Sequence, residues 1–274
     1  MNGYFKVLGA LGLFLVMIPV LLGTLTVMIS RRNKALSVVI GGFYAQILLG
    51  GIGVVIHELS HLLTALFFGH QIVSFRLLHV PDPHNPADNA LGYVNHAWNE
   101  RSFYQRVGNV FIGIAPVVGC TLAIIGLTQW LVPGIFTLWH ALITQTEAPQ
   151  IHLAAGRTIL WLILIGNIAI GGFDLSSADL ENSATGLMTL LIAFLAAALI
   201  LCQFTTGSVV AQTLRTWLAP FYWSLAFALL INLLMLGILS LLSRLGELTC
   251  YSDTLRIIFI MQLGIFVKKR RSKE

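Results

Sequence analysis

The run GVVIHELSHLLTALFFG, residues 53–69, carries two histidines and a glutamate inside an otherwise apolar stretch. His57 and His61 are four residues apart, so on a helix they lie on one face, one turn apart. Two imidazoles at this spacing can bind one zinc ion, and Glu58 can reach a water molecule at the same ion as a general base. Each ionisable side chain inside a membrane costs on the order of 2–3 kcal/mol. Because one metal ion would partner all three groups, the motif predicts a zinc (Zn2+) site.

A third zinc ligand is expected from elsewhere in the chain, because catalytic zinc takes three protein ligands and keeps one open position. The acidic residues of GGFDLSSADLENSATG are the cluster at a suitable depth, and they include Asp174 and Asp179. Ser176 and Asp179 also fit a capping box at the start of a helix, so helix capping is the alternative role for these aspartates. The residue types and their spacing therefore do not decide which of the two aspartates is the third zinc ligand.

The composition predicts a membrane protein and excludes a soluble domain. Of the 274 residues, 57% are hydrophobic and 10% are charged, and apolar runs of bilayer-spanning length recur along the chain. Spans must be helical, because backbone polar groups in lipid have to be satisfied within each segment. The net charge of +5 comes mostly from a few basic clusters, which bear on orientation. The expected surroundings are therefore a lipid bilayer, and no nucleic-acid partner is expected.

The hydrophobic pattern predicts an all-α polytopic membrane protein with about six transmembrane helices and a small membrane-surface β-hairpin after the second. The predicted spans are 5–29, 37–69, 107–131, 158–173, 186–206 and 220–242. The hairpin falls in segment 70–106, where QIVSFRLLHV and GYVNHAW alternate as strands around the turn-forming run PDPHNPADNALG. Residues 134–145 are predicted as a surface helix, and 257–267 are too short to span comfortably.

The whole chain, 1–274, is interpreted as a single membrane domain with both termini on the cytoplasmic side. Cytoplasmic loops usually carry an excess of Lys and Arg, but counting these residues does not by itself decide the orientation. The shortness of 257–267 favours six crossings and a cytoplasmic basic tail. The histidines outside the motif are expected to be solvated in loops, with His96 the first to test for a role in the site. Asn109 and Pro116 are interpreted as packing residues, and the alternative is that they shape an oxyanion pocket.

Several stretches together resemble the site-2 protease family of intramembrane zinc metalloproteases. The HELSH motif late in a span is followed by a hairpin, by NVFIGIAPVVG at 109–119 and by a downstream acidic site. GYVNHAW, the run 104–119 and LSSADLENSATGL are similar to a small bacterial branch, and this similarity covers roughly 37–190. It implies a metalloprotease-like core in that range and does not extend to 191–274, where the hydrophobic and charge pattern predicts additional spans and a basic cytoplasmic tail.

The resemblance also implies the ligand set. Two histidines and one aspartate hold zinc in the family, which carries over to His57 and His61 as ligands and Glu58 as base. The family's third ligand usually lies in an Asn-x-x-Pro…Leu-Asp-Gly pattern, and the stretch 167–174 lacks its proline and its final glycine. The nearer branch resembles Ser-x-x-Asp, which fits Ser176 and Asp179. Asp179 is therefore the expected third ligand, and Asp174 is the alternative.

The function implied by the resemblance is hydrolysis of peptide bonds in membrane-embedded or membrane-proximal segments of a protein or peptide substrate. The expected location is a bacterial cell membrane. An exposed hairpin edge could hold substrate by β-augmentation, or the hairpin could be a lid that packs on the headgroups. The alternative functions are a non-catalytic, metal-binding regulatory membrane protein and, ranked last, a transporter or channel. The last is disfavoured because spans 186–206 and 220–242 are nearly free of charge.

Overall fold

The computed structural model is an all-α polytopic membrane protein with one small sheet. It describes residues 2–81, 90–147 and 153–271, with side chains described from residue 3 to residue 246 within those ranges. Five helical stretches in these ranges are long and apolar enough to cross a membrane. They are Gly3–Gly41, Ala45–Phe67, Phe103–Leu131, Ser177–Phe204 and Gly207–Gly246. Exposed apolar side chains such as Leu48 and Phe204 are what lipid-facing helices require.

The N-terminal helix is a continuous rod made of α1 (Asn2–Leu11), a π-helical segment (Gly12–Met17) and α2 (Ile18–Gly41). The π-helical segment lies just before Pro19, which has no N–H to give to the preceding turn. Tyr222, from the C-terminal helix, donates a hydrogen bond to the carbonyl of Phe14 in this segment. The irregular turn is therefore partnered within the bundle.

The predicted boundary between the first two spans is wrong. The first helix does not end at residue 29 but continues through RRNK to Gly41, and the chain turns at 42–44, where Gly42 has a φ of 76°. Three of the four polar residues of that stretch have partners from other segments, because Arg31 and Lys34 pair with Asp174 and Asn33 bonds to Asn232. Asn33 is fully buried and donates to the carbonyl of Asn232 at 3.1 Å. The second span is consequently α3 (Ala45–Phe67), shorter than the predicted 37–69.

The remaining helices follow the predicted order. They are α4 (Phe103–Leu131), α5 (Pro133–Thr144), α6 (Ala155–Gly171), α7 (Ser177–Phe204) and α8 (Gly207–Arg271). Helix α5 corresponds to the short helix expected at 134–145, and α6 to the fourth predicted span. At 17 residues, α6 is an apolar helix that is shorter than the five candidate spans. The predicted segment 257–267 lies within α8, in the part whose side chains are not described. The basic tail also lies beyond the described side chains, and its residues 272–274 are outside the described backbone as well.

The predicted hairpin is present. Strand β1 (Gln71–Arg76) follows α3 and pairs antiparallel with β2 (Tyr93–Ala97). The register places Ile72 opposite His96 and is shifted by a bulge between Ile72 and Ser74. Most of the predicted turn, residues 82–89, lies outside the described part of the chain. The hairpin therefore begins four residues after the helix that carries the HELSH motif.

Helices α3 and α6 approach each other closely through glycine. A Cβ at Gly53 would lie 2.6 Å from the Gly172 nitrogen and 2.7 Å from the Asn167 carbonyl oxygen. The Asn167 side chain also inserts beside the α3 backbone. Its Oδ1 accepts from the N–H groups of Ile52 at 2.7 Å and Gly53 at 3.2 Å, and its Nδ2 donates to the Leu48 carbonyl at 3.0 Å. Close helix approach is thus what Gly53 provides.

Replacing Gly53 with alanine should destabilise the protein by about 1–3 kcal/mol, because the new methyl group would press on backbone atoms that cannot rotate away. Thermal unfolding in detergent micelles, followed by helical circular dichroism, measures the effect. Gly51→Ala is the control on the same helix, since a Cβ there would meet only the side-chain end of Leu78 at 3.6 Å. Equal midpoints for the two variants would contradict the close-contact explanation.

Candidate metal centre

Helix α3 buries the three ionisable residues of the HELSH motif near its C-terminal half. His57, Glu58 and His61 are 7%, 8% and 6% exposed. The four-residue spacing turns both imidazoles to the same side of the helix, and their Nε2 atoms are 3.1 Å apart. The bundle interior therefore holds two imidazole rings in contact with each other and a buried glutamate side chain on the same turn of the helix.

The outer nitrogen of each imidazole is held by a backbone carbonyl. Nδ1 of His57 lies 2.9 Å from the Gly172 oxygen, and Nδ1 of His61 lies 2.7 Å from the Ile112 oxygen. A carbonyl oxygen can only accept, so both Nδ1 atoms carry the proton and donate it. In the neutral rings, both Nε2 atoms then present lone pairs to each other. A cation between them would turn this repulsive arrangement into a favourable one.

Asp179 completes the cluster from the first turn of α7. Its Oδ1 is 3.1 Å from His61 Nε2, and its Oδ2 is 3.8 Å from His57 Nε2. Oδ2 also accepts from the Ser176 N–H at 2.7 Å and the Ser176 hydroxyl at 2.8 Å, while the Asp179 N–H donates back to Ser176 Oγ at 3.1 Å. The predicted capping box is therefore present, and it fixes the orientation of the carboxylate.

Among the described residues, His57, His61 and Asp179 are the group of ligand-type side chains that could hold a metal ion. Their ligand atoms lie within 4.8 Å of one another. Asp174, the alternative third ligand, is placed elsewhere. Its carboxylate binds Arg31 Nε at 2.9 Å and Lys34 Nζ at 3.0 Å, both from α2.

The five-residue linker between α6 and α7 orients ligands on both sides of the cluster. The Gly172 carbonyl holds His57, and it also accepts from Cys120 Sγ at 3.2 Å. Phe173 is fully buried, and the ion pairs of Asp174 tie the middle of the linker to α2. Ser176 then caps α7 and holds the outer oxygen of Asp179. One short segment thus sets the positions of two of the three ligands.

A cavity of about 570 Å³ opens onto the cluster. The ligands and Glu58 lie on one side of it, and strand β2 with the residues just before it lies on another. Gly92 is pressed against the motif, because a Cβ there would come within 2.6 Å of Glu58 Cγ and 3.0 Å of Oε1. The hairpin therefore covers Glu58 while leaving space beside the ligands that a small molecule or an extended peptide could enter.

His96 lies in the wall of this cavity and begins a chain of hydrogen bonds that leads away from it. Asn182 Nδ2 lies 3.3 Å from His96 Nε2, the two Nδ1 atoms of His96 and His70 are 3.0 Å apart, and His70 Nε2 lies 3.0 Å from the Gln105 carbonyl. Since that carbonyl must accept, His70 donates from Nε2 and accepts at Nδ1. His96 then donates from Nδ1 and accepts from Asn182. Each of these three hydrogen bonds has one donor and one acceptor when both imidazole rings are neutral.

The expectation that the remaining histidines are solvated in loops is wrong for His70, which is 4% exposed, and His140 lies in α5 rather than in a loop. No spacing motif marks His70, and it is brought to His96 by the pairing of the two strands. Asn182 was also missed, and its position one helical turn after Asp179 is the signal that could have indicated it. His84 and His152 lie outside the described residues.

The fold and the cluster together define a class: a polytopic helical membrane protein with a buried His-His-Asp group able to hold a metal ion. No protein-family model matches the chain, and comparisons with curated proteins and with solved structures also give no match. The chemical role of the site must therefore be argued from its own residues.

Asp179→Asn should abolish tight metal binding, because it removes the charge that faces the two imidazoles while keeping the size of the side chain. The matched variant Asp174→Asn should still bind one ion at saturating metal, since Asp174 is paired with Arg31 and Lys34. Metal content of the purified proteins after dialysis measures both. If Asp174→Asn lost the ion and Asp179→Asn kept it, Asp174 and not Asp179 would be the third ligand.

The His70–His96 pair should make the metal-free fold sensitive to acid. Burial, together with the charges that His70 and His61 can carry, lowers the pKa of His96 to about 4. Burial also lowers the pKa of His70. An unfolded histidine has a pKa of about 6.5, so the unfolded state takes up protons first as the pH falls. The stability that the neutral rings contribute is therefore fully present above pH about 6.5 and is lost toward pH about 4.

Unfolding midpoints measured from pH 7 to pH 4 in the presence of a chelator test this expectation. His96→Gln keeps hydrogen-bonding groups but cannot be protonated, so its midpoint should fall less with pH than that of the wild type. His140→Gln, an exposed position on α5, is the matched control and should follow the wild type. An identical pH dependence in His96→Gln and the wild type would contradict the assignment.

Proposed function

We propose that this protein is an intramembrane zinc metalloprotease of the site-2 protease type. The observation that carries the proposal is the convergence of His57, His61 and Asp179, with Glu58 beside them, on a cavity inside a helical membrane bundle. Three ligand positions leave the fourth zinc position open for chemistry, whereas structural zinc sites are closed by four protein ligands. Within the described residues the cluster has three members, which supports the catalytic interpretation over the regulatory one.

The donor set and its geometry fit zinc. Zinc–nitrogen bonds are about 2.0–2.1 Å long, so two ligands of a tetrahedral ion lie about 3.4 Å apart. The observed separations are 3.1 Å between the two Nε2 atoms and 3.1 Å between His61 Nε2 and Asp179 Oδ1. The Nδ1–H groups donate to carbonyls, as imidazole ligands of zinc do. When bound, zinc would supply Lewis acidity, lowering the pKa of a water and polarising the scissile carbonyl.

The chain's own residues then divide the work. His57, His61 and Asp179 hold the ion, and the backbone carbonyls and Ser176 keep these ligands in place. Glu58 accepts a proton from the attacking water and delivers it to the amine that leaves when the peptide bond breaks. Its position under Gly92, at 8% exposure, keeps bulk water away from the carboxylate.

Strand β2 supports a peptide as the substrate. It lines the cavity with Tyr93, Val94 and Asn95, and only β1 pairs with it within the described residues. Its second edge is therefore available for an extended segment to add as a further strand, which exposes a peptide bond that a helix would protect. Substrates would accordingly be membrane-embedded or membrane-proximal segments that can unwind beside the site.

Glu58→Gln should retain zinc and the fold but lower cleavage about a hundredfold or more, because the amide cannot accept the proton. The assay uses purified protein in detergent and a labelled single-span peptide with an apolar segment of about 20 residues. Product masses identify the broken bond. Glu181→Gln, the same change at an exposed position of α7, is the control and should cleave normally.

Cleavage by Glu58→Gln at the wild-type rate would rule out Glu58 as the base. A wild-type protein that binds one zinc ion but leaves a broad panel of such peptides intact would instead favour the non-catalytic, metal-binding regulatory alternative.

A further inference from the structure

The carbonyl that orients His61 lies in the middle of a helix, where carbonyls are normally occupied. In a regular α-helix the oxygen of residue i accepts from the N–H of residue i+4. For Ile112 in α4 that donor would come from residue 116, which is Pro116. Proline has no N–H, so the regular helical partner of the Ile112 oxygen does not exist. The same oxygen instead accepts from His61 Nδ1 at 2.7 Å.

We infer that Pro116 is a positioning residue for the metal centre: by removing the competing backbone donor, it reserves the Ile112 carbonyl for His61. This inference rests on the proposed metal site. Pro116 touches neither the ion nor a reacting atom in this scheme, and it acts through one oxygen atom. It also gives Pro116 a specific role in place of the packing role expected from the sequence.

The buried position of His61 explains why a free carbonyl oxygen is needed beside it. His61 is buried on α3, so its outer nitrogen needs a hydrogen-bond acceptor that the protein itself supplies. A helix carbonyl whose own donor is missing keeps its full acceptor capacity for a side chain from a neighbouring helix. His57 uses a helix end, because Gly172 follows the last residue of α6 and its oxygen needs no helical donor. Pro116 creates the equivalent free oxygen inside a continuous helix.

Direct support comes from the position of Pro116 on α4. Ile112 and Pro116 are both buried, one turn apart, on the side of α4 that packs in the bundle. A proline inside a helix is ordinarily destabilising. Here the hydrogen bond that the helix loses at residue 116 is replaced by the one that His61 donates to the Ile112 oxygen.

Pro116→Ala restores an N–H at residue 116 and so lets the helix compete with His61 for the Ile112 oxygen. Affinities for Zn2+ and Co2+ alone, measured on the purified full chain by competition with a chelator, should fall about tenfold or more, as for partners that orient metal ligands. The visible absorption of bound Co2+ should change shape, because the His61 ring is no longer held. The unfolding midpoint of the metal-free protein should stay equal or rise.

Two further variants separate the missing donor from the lost proline ring. A backbone ester at position 116, made with lactic acid, has the alanine side chain but no N–H, so it should bind both metals like the wild type. Pro220→Ala makes the same substitution inside α8, at an exposed position away from the cluster. It should leave metal affinity unchanged.

Metal affinity of Pro116→Ala equal to that of the wild type would overturn the inference, and so would an ester variant as weak as Pro116→Ala. If Pro116→Ala did not fold, the ester variant would decide alone: wild-type affinity supports the role and weakened affinity contradicts it. A wild-type protein that binds neither ion would overturn the proposed function itself. A wild-type protein that binds them while Pro116→Ala binds equally well would overturn the inference only.

Discussion

The structure depends on how polar groups are partnered in a bundle that lipid surrounds. An unpartnered N–H or imidazole nitrogen in such surroundings costs several kcal/mol by approximate transfer measurements, so a partner supplied by the protein itself is strongly stabilising. The two histidines of α3 meet this condition on their outer side with the Gly172 and Ile112 carbonyls. Their inner nitrogens are left facing each other and Asp179. A cation bound between these atoms would complete the arrangement, and it would account for three ionisable groups in an apolar helix.

The linker between α6 and α7 turns this local condition into a property of the whole bundle. Glycine contacts and the Asn167 amide bind α6 to α3, which brings Gly172 to His57. The ion pairs of Asp174 bind the same linker to α2. Ser176 then starts α7 and sets the carboxylate of Asp179. Because four helices (α2, α3, α6 and α7) meet through these few residues, the spacing of the candidate ligands follows from helix packing and does not rely on a flexible loop.

The features that the sequence predicts correctly are those encoded over a few residues. Apolar runs indicate the helices, alternation indicates the two strands, and Ser176-x-x-Asp179 indicates the cap, because each depends on neighbours along the chain. The features that it misses depend on distant partners. Asn33 can remain in a span because it meets Asn232, far along the chain. His70 is buried only because strand pairing brings His96 beside it. Neither contact leaves a pattern within a window of local sequence.

Asp179 shows how two interpretations that compete in the sequence can describe one residue. A carboxylate has two oxygens, and a capping box uses only one of them. Oδ2 takes the hydrogen bonds from Ser176, which leaves Oδ1 to face His61. The cap is thus what holds the outer oxygen, as hydrogen-bonded carboxylate ligands require. Asp174 lacks this division, since its two oxygens are taken by two different cations. Of the two aspartates, Asp179 therefore keeps an oxygen that faces the imidazoles, whereas Asp174 is paired with residues of α2 that lie far away in sequence.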